Sequence, residues 1–165
     1  MFEIVPFSSP LGKKTFSCGV PQLDDYFHRQ ASQDMRRNFA SCFVAVTERG
    51  DIAAYYTLSA GSILLRSIPE DLRRKLPHYP NIPAVQLGRL AVSVDLQGIG
   101  LGAAMLYDAW KRSIDLPIGL YAMTVHAKDE KAAAFYAHNG FFPLADSLLD
   151  LYIPLALCRK LIAGN

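Results

Sequence analysis

The sequence is short of the features that would send it out of a reducing cell interior or into a membrane. It has only three cysteines, Cys18, Cys42 and Cys158. They cannot all pair and stand at no metal-ligand spacing, so we expect small buried hydrophobes in a cytoplasmic protein. No apolar run approaches the roughly 18 to 20 residues of a membrane span. The opening MFEIVPFSSP carries an acid at Glu3 and lacks a basic start, so it is not expected to be a signal peptide. Repeats, low-complexity tracts and domain linkers are missing. The four histidines, His28, His78, His126 and His138, show no ligand spacing either, and no metal is expected; His126, ending a strand, could relay protons, but all four are assigned structural roles.

Two local absences matter more. No Asp or Glu lies from Pro83 to Val94, or between Leu116 and Lys128. Each bears on the chemistry considered below.

What is present is an ordinary globular composition: 165 residues, 51% hydrophobic, 19% charged, net charge +2. That length supports one domain, 1–165, with a real core. The pI of about 8.4 stays below the ~9 that would by itself suggest nucleic-acid binding. Any such role must rest on local clusters: Lys13-Lys14, Arg36-Arg37 and Arg73-Arg74-Lys75. A solvated face is the ordinary reading of each.

In chain order, the patterns predict a short strand over Phe2–Val5, a loop through Ser8, Ser9, Pro10 and Gly12, and a helix from Gln22 to Arg37. A hairpin follows, Ser41–Thr47 and Ile52–Ser62 about the turn Arg49-Gly50-Asp51. Thr57, Ser59 and Gly61 suggest that its far end is not fully buried. A helical turn over Pro69–Lys75 leads into Leu76–Pro83, whose regularly spaced prolines favour a rigid extended connector. This connector walls a substrate cleft or merely links. Then come a central strand beginning at Pro83, a helix Gly100–Ser113, a strand Ile118–Ala127, a helix Asp129–Asn139 with Gly140 as its left-handed end, and a last strand Leu148–Pro154. The fold class is α/β, a layered sheet.

The centre of the pattern is Pro83–Ala104. A strand with Val85, Leu87, Leu90, Ala91 and Val92 breaks into Gln97-Gly98-Ile99-Gly100-Leu101-Gly102 and runs straight into a helix. Glycines let a backbone approach a ligand closely, and the first N–H groups of a helix lack internal partners, so strand, glycine turn and helix together suit a phosphate. Gly98, Gly100 and Ala103 also fit a dinucleotide fingerprint. That motif needs an acid at the end of the next strand. The second of the two gaps removes it, and too little chain follows for a six-stranded sheet. A plain turn is the remaining alternative, at odds with the entropic cost of three alternating glycines.

Gln97-x-x-Gly100-x-Gly102 resembles the pyrophosphate loop of the GNAT superfamily of acetyl-CoA-dependent N-acetyltransferases. Ala132-Ala133-Ala134-Phe135-Tyr136-Ala137-His138-Asn139-Gly140-Phe141 resembles the same superfamily's A-x-x-F-Y-x-x-x-G-F segment. Phe16-Ser17-Cys18-Gly19 with Leu23-Asp24, Tyr55–Ser59 and Leu87–Val92 are similar to the acetyltransferase toxins of bacterial type II toxin–antitoxin modules. The likeness spans Phe16 to Pro154.

The resemblance implies a GNAT-like mixed, mostly antiparallel central sheet flanked by helices, with acetyl-CoA as co-substrate. It implies that Gln97, Gly98, Ile99, Gly100, Leu101, Gly102 and Ala103 surround the pyrophosphate, that Leu90, Ala91 and Val92 pair with the pantetheine arm, and that Phe135 packs with possible cofactor contact. Tyr136 would protonate the departing thiolate, a role a neutral phenol can fill. A core tyrosine is the ordinary alternative. Many GNAT enzymes use a glutamate on the central strand as base, but here that strand offers only Gln86 and Arg89. Either the amine arrives neutral, as an aminoacyl ester's α-amine could, or water serves; a lysine substrate, with a pKa of about 10.4, is disfavoured. Arg89, a charge in an apolar strand, would contact substrate or a second subunit, or sit in a structural ion pair. Arg73, Arg74 and Lys75 are the candidate tRNA contacts.

The toxin family further implies aminoacyl-tRNA as acceptor, a homodimer, and a ribbon-helix-helix antitoxin forming a repressor complex with it. Two alternatives stay open: acetylation of a protein N-terminus or small amine, and a non-catalytic acetyl-CoA-binding module, which would not need Tyr136.

Overall fold

The computed structural model describes residues 1–8 and 15–164. Ser9, Pro10, Gly12 and the Lys13-Lys14 pair lie outside the described residues. Among the described residues seven strands form one sheet in the order β1-β2-β3-β4-β5-β7-β6: β1 (Glu3–Pro6), β2 (Ser41–Val46), β3 (Ile52–Leu64), β4 (Asn81–Val92), β5 (Ala122–His126), β6 (Phe142–Leu144) and β7 (Ser147–Pro154). The β1–β2, β2–β3, β5–β7 and β6–β7 ladders are antiparallel, whereas β4 and β5 run parallel. The helices are α1 (Pro21–Asp25), α2 (Ala31–Arg36), α3 (Glu70–Arg73), α4 (Leu101–Ile114), α5 (Glu130–His138) and α6 (Leu155–Ala163). Among the described residues no helix is long and apolar enough to cross a membrane.

The chain divides into two compact units, 1–59 with 88–109, and 60–87 with 110–165. In the first, a core of aromatic rings forms under the hairpin. Phe27 stacks on Tyr55 at 4.6 Å between centroids, and Phe16 meets both edge-on. The single helix expected over Gln22–Arg37 is instead two short helices joined by a π-helical segment, Tyr26–Gln30. The Ala31 N–H donates to the Tyr26 carbonyl, five residues back. The wider turn belongs to the segment that buries Tyr26 and Phe27 while Ala31 is fully buried. Asp24 closes the preceding turn by accepting from the Cys18 N–H at 2.8 Å. The far end of β3 is incompletely buried as expected, with Ser59 and Gly61 half-buried and Ala60 and Ser62 exposed, but Thr57 itself is only 1% exposed. A Cβ on residue 88 would lie 2.8 Å from its Oγ1, so glycine at 88 makes the room the hydroxyl occupies.

In the second unit, Ile63, Ile68, Ile82, Ala84, Ala122 and Tyr152 form the core on one face. Three boundaries differ from expectation. The proline-rich stretch gives Asn81–Pro83 to β4, while the expected strand from Ile118 shortens to Ala122–His126. Ile118 is exposed beside Gly119, which has no side chain to pack. The helix α6 was not anticipated, because Leu155–Ala163 reads as a continuation of the apolar run in β7; Pro154 separates the two as the residue preceding the helix. Gly140 takes φ +101°, the left-handed C-terminal conformation predicted for it.

Candidate active site

In the first unit, β4 runs through Val92 into a 3₁₀ turn, Val94–Leu96, and then the glycine turn. Gly98 and Gly100 have φ of +81° and +89°, and a Cβ on either would meet nothing within 4 Å. The turn is therefore glycine for its backbone conformation and opens to free space. The first intrahelical bond of α4 runs from the Ala104 N–H to the Gly100 carbonyl. The N–H groups of Leu101, Gly102 and Ala103 thus lie ahead of the ladder, at the positive end of a 14-residue helix. The Gln97 side-chain amide donates to the carbonyls of Cys18 and Val92, both at 3.0 Å, and ties the turn to its own strand. Leu101 is buried, while Ile99 is 62% exposed.

Leu90, Ala91 and Val92 occupy the last residues of β4. The β4–β5 ladder covers Ala84–Leu87, so β4 continues five residues beyond it. Arg89 lies with its guanidinium 3.4 Å from the centroid of the Tyr26 ring. The Tyr26 hydroxyl donates to Asp34 at 2.8 Å, and hydrogen bonds from Gln30 and Tyr26 hold the Asp34 carboxyl below its usual range, with Arg89 adding to the effect. The strand's cation is accounted for by a cation–π contact.

In the second unit, Tyr136 is buried on α5 between Phe135 and Phe141, both edge-on, at 5.2 and 5.4 Å. Burial raises its pKa well above the ordinary value, so the hydroxyl keeps its proton at neutral pH. The Asp129 carboxylate caps this helix by accepting from the Ala132 N–H at 2.8 Å. Arg73, Arg74 and Lys75 end a short surface helix. Arg73 donates to the Arg66 carbonyl, and Arg74 pairs with Asp71 at 3.4 Å with both side chains exposed.

The same unit holds a cleft of about 210 Å³ whose lining includes Gly61, Ser67, Gln86, Thr124, His126 and Asp150. Register explains the grouping. Gln86 faces Thr124 across the parallel β4–β5 pair, and His126 faces Asp150 across the β5–β7 pair, so all four side chains share one sheet face. His126 Nδ1 lies 2.5 Å from Asp150 Oδ1. Sequence reasoning left His126 structural and passed over Asp150. The signal was a single acid amid the apolar residues of the last strand, but only the register joins it to a histidine 24 residues away. The proline-rich residues 76–80 are not part of this lining.

The family model described as acetyltransferase (GNAT) domain matches residues 19–154. The chain belongs to the GNAT acetyltransferase family. This GNAT protein is 36% identical over 150 residues, 90% of its length and 89% of the relative's, to a tRNA-acetylating toxin of Mycobacterium tuberculosis. Its fold matches solved structures of AtaT complexed with acetyl-methionyl-tRNAfMet (TM-score 0.88, 27% identity, 98% and 99% of the two chains) and of AtaTR bound with AcCoA (TM-score 0.84, 28% identity, 98% of each chain). It is an acetyl-CoA-dependent N-acetyltransferase with the mixed, mostly antiparallel sheet that its motifs implied. The open turn at Gly98 and Gly100 and the unladdered amides of 101–103 fit the diphosphate of that co-substrate.

Proposed function

We propose that this chain transfers an acetyl group from acetyl-CoA to the α-amino group of aminoacyl-tRNA and acts as the toxin of a type II toxin–antitoxin module. The observation that carries this reading is its likeness, along nine-tenths of its length, to a tRNA-acetylating toxin. An acetylated α-amine has lost the lone pair that attacks in peptide-bond formation, so translation stops.

Acetyl-CoA supplies the activated acyl group as a thioester. The chain's task is to anchor it, present the amine with its lone pair free and quench the developing thiolate charge. Gly98–Ala103 hold the diphosphate through backbone amides, with Gln97 keeping the turn in place. The backbone of Leu90–Val92 supplies sheet-edge groups for the pantetheine arm, and Phe135 packs beside Tyr136. The Tyr136 hydroxyl donates a proton to the sulfur, a step its raised pKa keeps available at all physiological pH values. Arg73, Arg74 and Lys75 contribute charge to the tRNA-binding face, while Arg89 supports the site through Tyr26.

We further read 1–165 as one catalytic domain, because the family match runs through residues of both compact units. The expected assembly is a homodimer bound by a ribbon-helix-helix antitoxin as a repressor complex in the cytoplasm. Mass spectrometry of charged tRNA incubated with the protein and acetyl-CoA tests the central statement. The α-amine should gain one acetyl group; charged tRNA unchanged while a peptide N-terminus or a small amine is acetylated would replace the substrate assigned here.

A further inference from the structure

The central strand β4 carries no carboxylate to accept a proton from the incoming ammonium group. The cleft beside it does offer an acceptor. His126 is the last residue of β5, and β4–β5 is the parallel pair among the ladders described above. Ligands in open α/β sheets collect beyond the carboxyl ends of parallel strands. From His126 only three residues lead to α5, the helix bearing Tyr136. Asp150 on β7 fixes the ring: its carboxylate can only accept, so Nδ1 carries the hydrogen between them. In the neutral form of the ring Nε2 then has its lone pair, and among the described residues it makes no hydrogen bond. His126 is 65% exposed and Asp150 43% exposed in their side chains, so the pair is open to a ligand rather than locked in the core.

We propose that His126, oriented by Asp150, is the base that neutralises the substrate ammonium in the cleft lined by Gln86 and Thr124. The inference rests on the acetyltransferase reading above. Nε2 takes one proton from the ammonium and later releases it to solvent. The freed lone pair forms the C–N bond as the C–S bond breaks. The nitrogen's second proton passes to solvent water as the amide forms, and the thiolate receives one from Tyr136, which is reprotonated from solvent. His126 is a catalytic residue in this scheme and Asp150 a positioning residue. Of the other polar groups, Thr124 of the lining donates its hydroxyl to the Leu151 carbonyl, Ser67 of the lining donates to Asp146 at 3.3 Å, and Lys128, two residues beyond His126 in sequence, pairs with Asp129 at 3.1 Å. Each of these contacts is made away from Nε2.

The test compares full-length wild type, His126→Gln and Asp150→Asn in acetylation of charged tRNA across pH 6 to 9, with CoA affinity measured in parallel. His126→Gln should lower kcat/KM by about 100-fold at the acid end, with CoA affinity unchanged. The deficit should shrink as rising pH deprotonates the amine unaided, a pattern that mere structural damage would not produce. Asp150→Asn should show a smaller deficit of the same shape. In 15N NMR without acetyl-CoA, the His126 ring should carry its proton on Nδ1 at neutral pH and lose that preference in Asp150→Asn. Added glycine ethyl ester should perturb Nε2. A pH-independent deficit, full activity of His126→Gln, or an Nε2 indifferent to the ester would overturn the assignment. Wild type inactive on charged tRNA would instead remove the substrate proposed above, and the NMR response to the ester would still decide the base.

Discussion

Replacing Gly100 by alanine, with Gly50 as a matched control, separates the mechanical cost of the glycine turn from its use. Both residues hold a left-handed backbone, φ +89° and +86°, and at neither would an added Cβ meet any atom within 4 Å. The clash term is therefore absent from both, leaving the backbone strain of an L-residue, about 1–2 kcal/mol. For a chain of this size one kcal/mol moves Tm by about 2–4 °C, so each variant should melt roughly 2–8 °C below wild type. Only Gly100 precedes the free amides of Leu101, Gly102 and Ala103. Relaxing the strain there swings those N–H groups away from their ligand. A hydrogen bond to a charged group is worth about 1.5–3 kcal/mol, so losing one raises the Kd for CoA by about 10- to 100-fold. Thermal melting and calorimetric titration with CoA read the two effects apart. Equal Tm losses with CoA affinity unchanged in Gly100→Ala, or weakened equally in Gly50→Ala, would refute the assignment of this turn to the diphosphate.

Tyr136→Phe fits the same buried space and should keep CoA affinity while kcat falls by about 10²–10⁴. Because burial raises the phenol's pKa above 10.0, its protonated form persists above that pH, and kcat should show no alkaline decline below pH 10; such a decline in a pH–rate profile would count against Tyr136 as the acid. Gly88→Ala forces a Cβ to 2.8 Å from Thr57 Oγ1, at an expected cost of about 1–3 kcal/mol. Adding Thr57→Ala should recover part of that loss, and a double-mutant cycle on melting temperatures that shows simple additivity would contradict the contact. Charge reversal at Arg73, Arg74 and Lys75 should weaken tRNA binding and flatten its dependence on salt; an unchanged slope in a filter-binding series would move the tRNA face elsewhere.

The glycine turn and the Tyr136 helix were legible in the sequence because each states its physics locally. Three glycines before an uninterrupted helix leave few conformations, and a capping aspartate with a terminal glycine bounds α5 on both sides. The π-segment at Tyr26–Gln30 was not legible, since its cause is tertiary: two aromatic rings seek a core that local propensity does not describe. The role of Gln97 was hidden for a similar reason. Its motif position said nothing of the carbonyls, 5 and 79 residues away, to which its amide hydrogens go. Thr57 was misjudged because a buried hydroxyl is read from sequence as a surface one, unless the missing side chain opposite it is known.

The cleft shows the same limit in its chemically most useful form. A histidine and an aspartate on separate strands become a pair only through strand register, and that register also fixes the face they occupy. Ile153, one residue from Tyr152, points to the opposite face, and a Cβ on Gly140 at the end of α5 would touch its Cδ1 at 3.4 Å. The helix carrying Tyr136 therefore ends on one side of the sheet, and His126 opens on the other. This separation has a chemical consequence. A base and an acid in direct hydrogen bond would exchange their own proton and serve neither partner of the reaction. In the scheme proposed above, base and acid would therefore approach the acyl carbon from opposite faces, His126 taking the proton of the amine and Tyr136 supplying that of the sulfur.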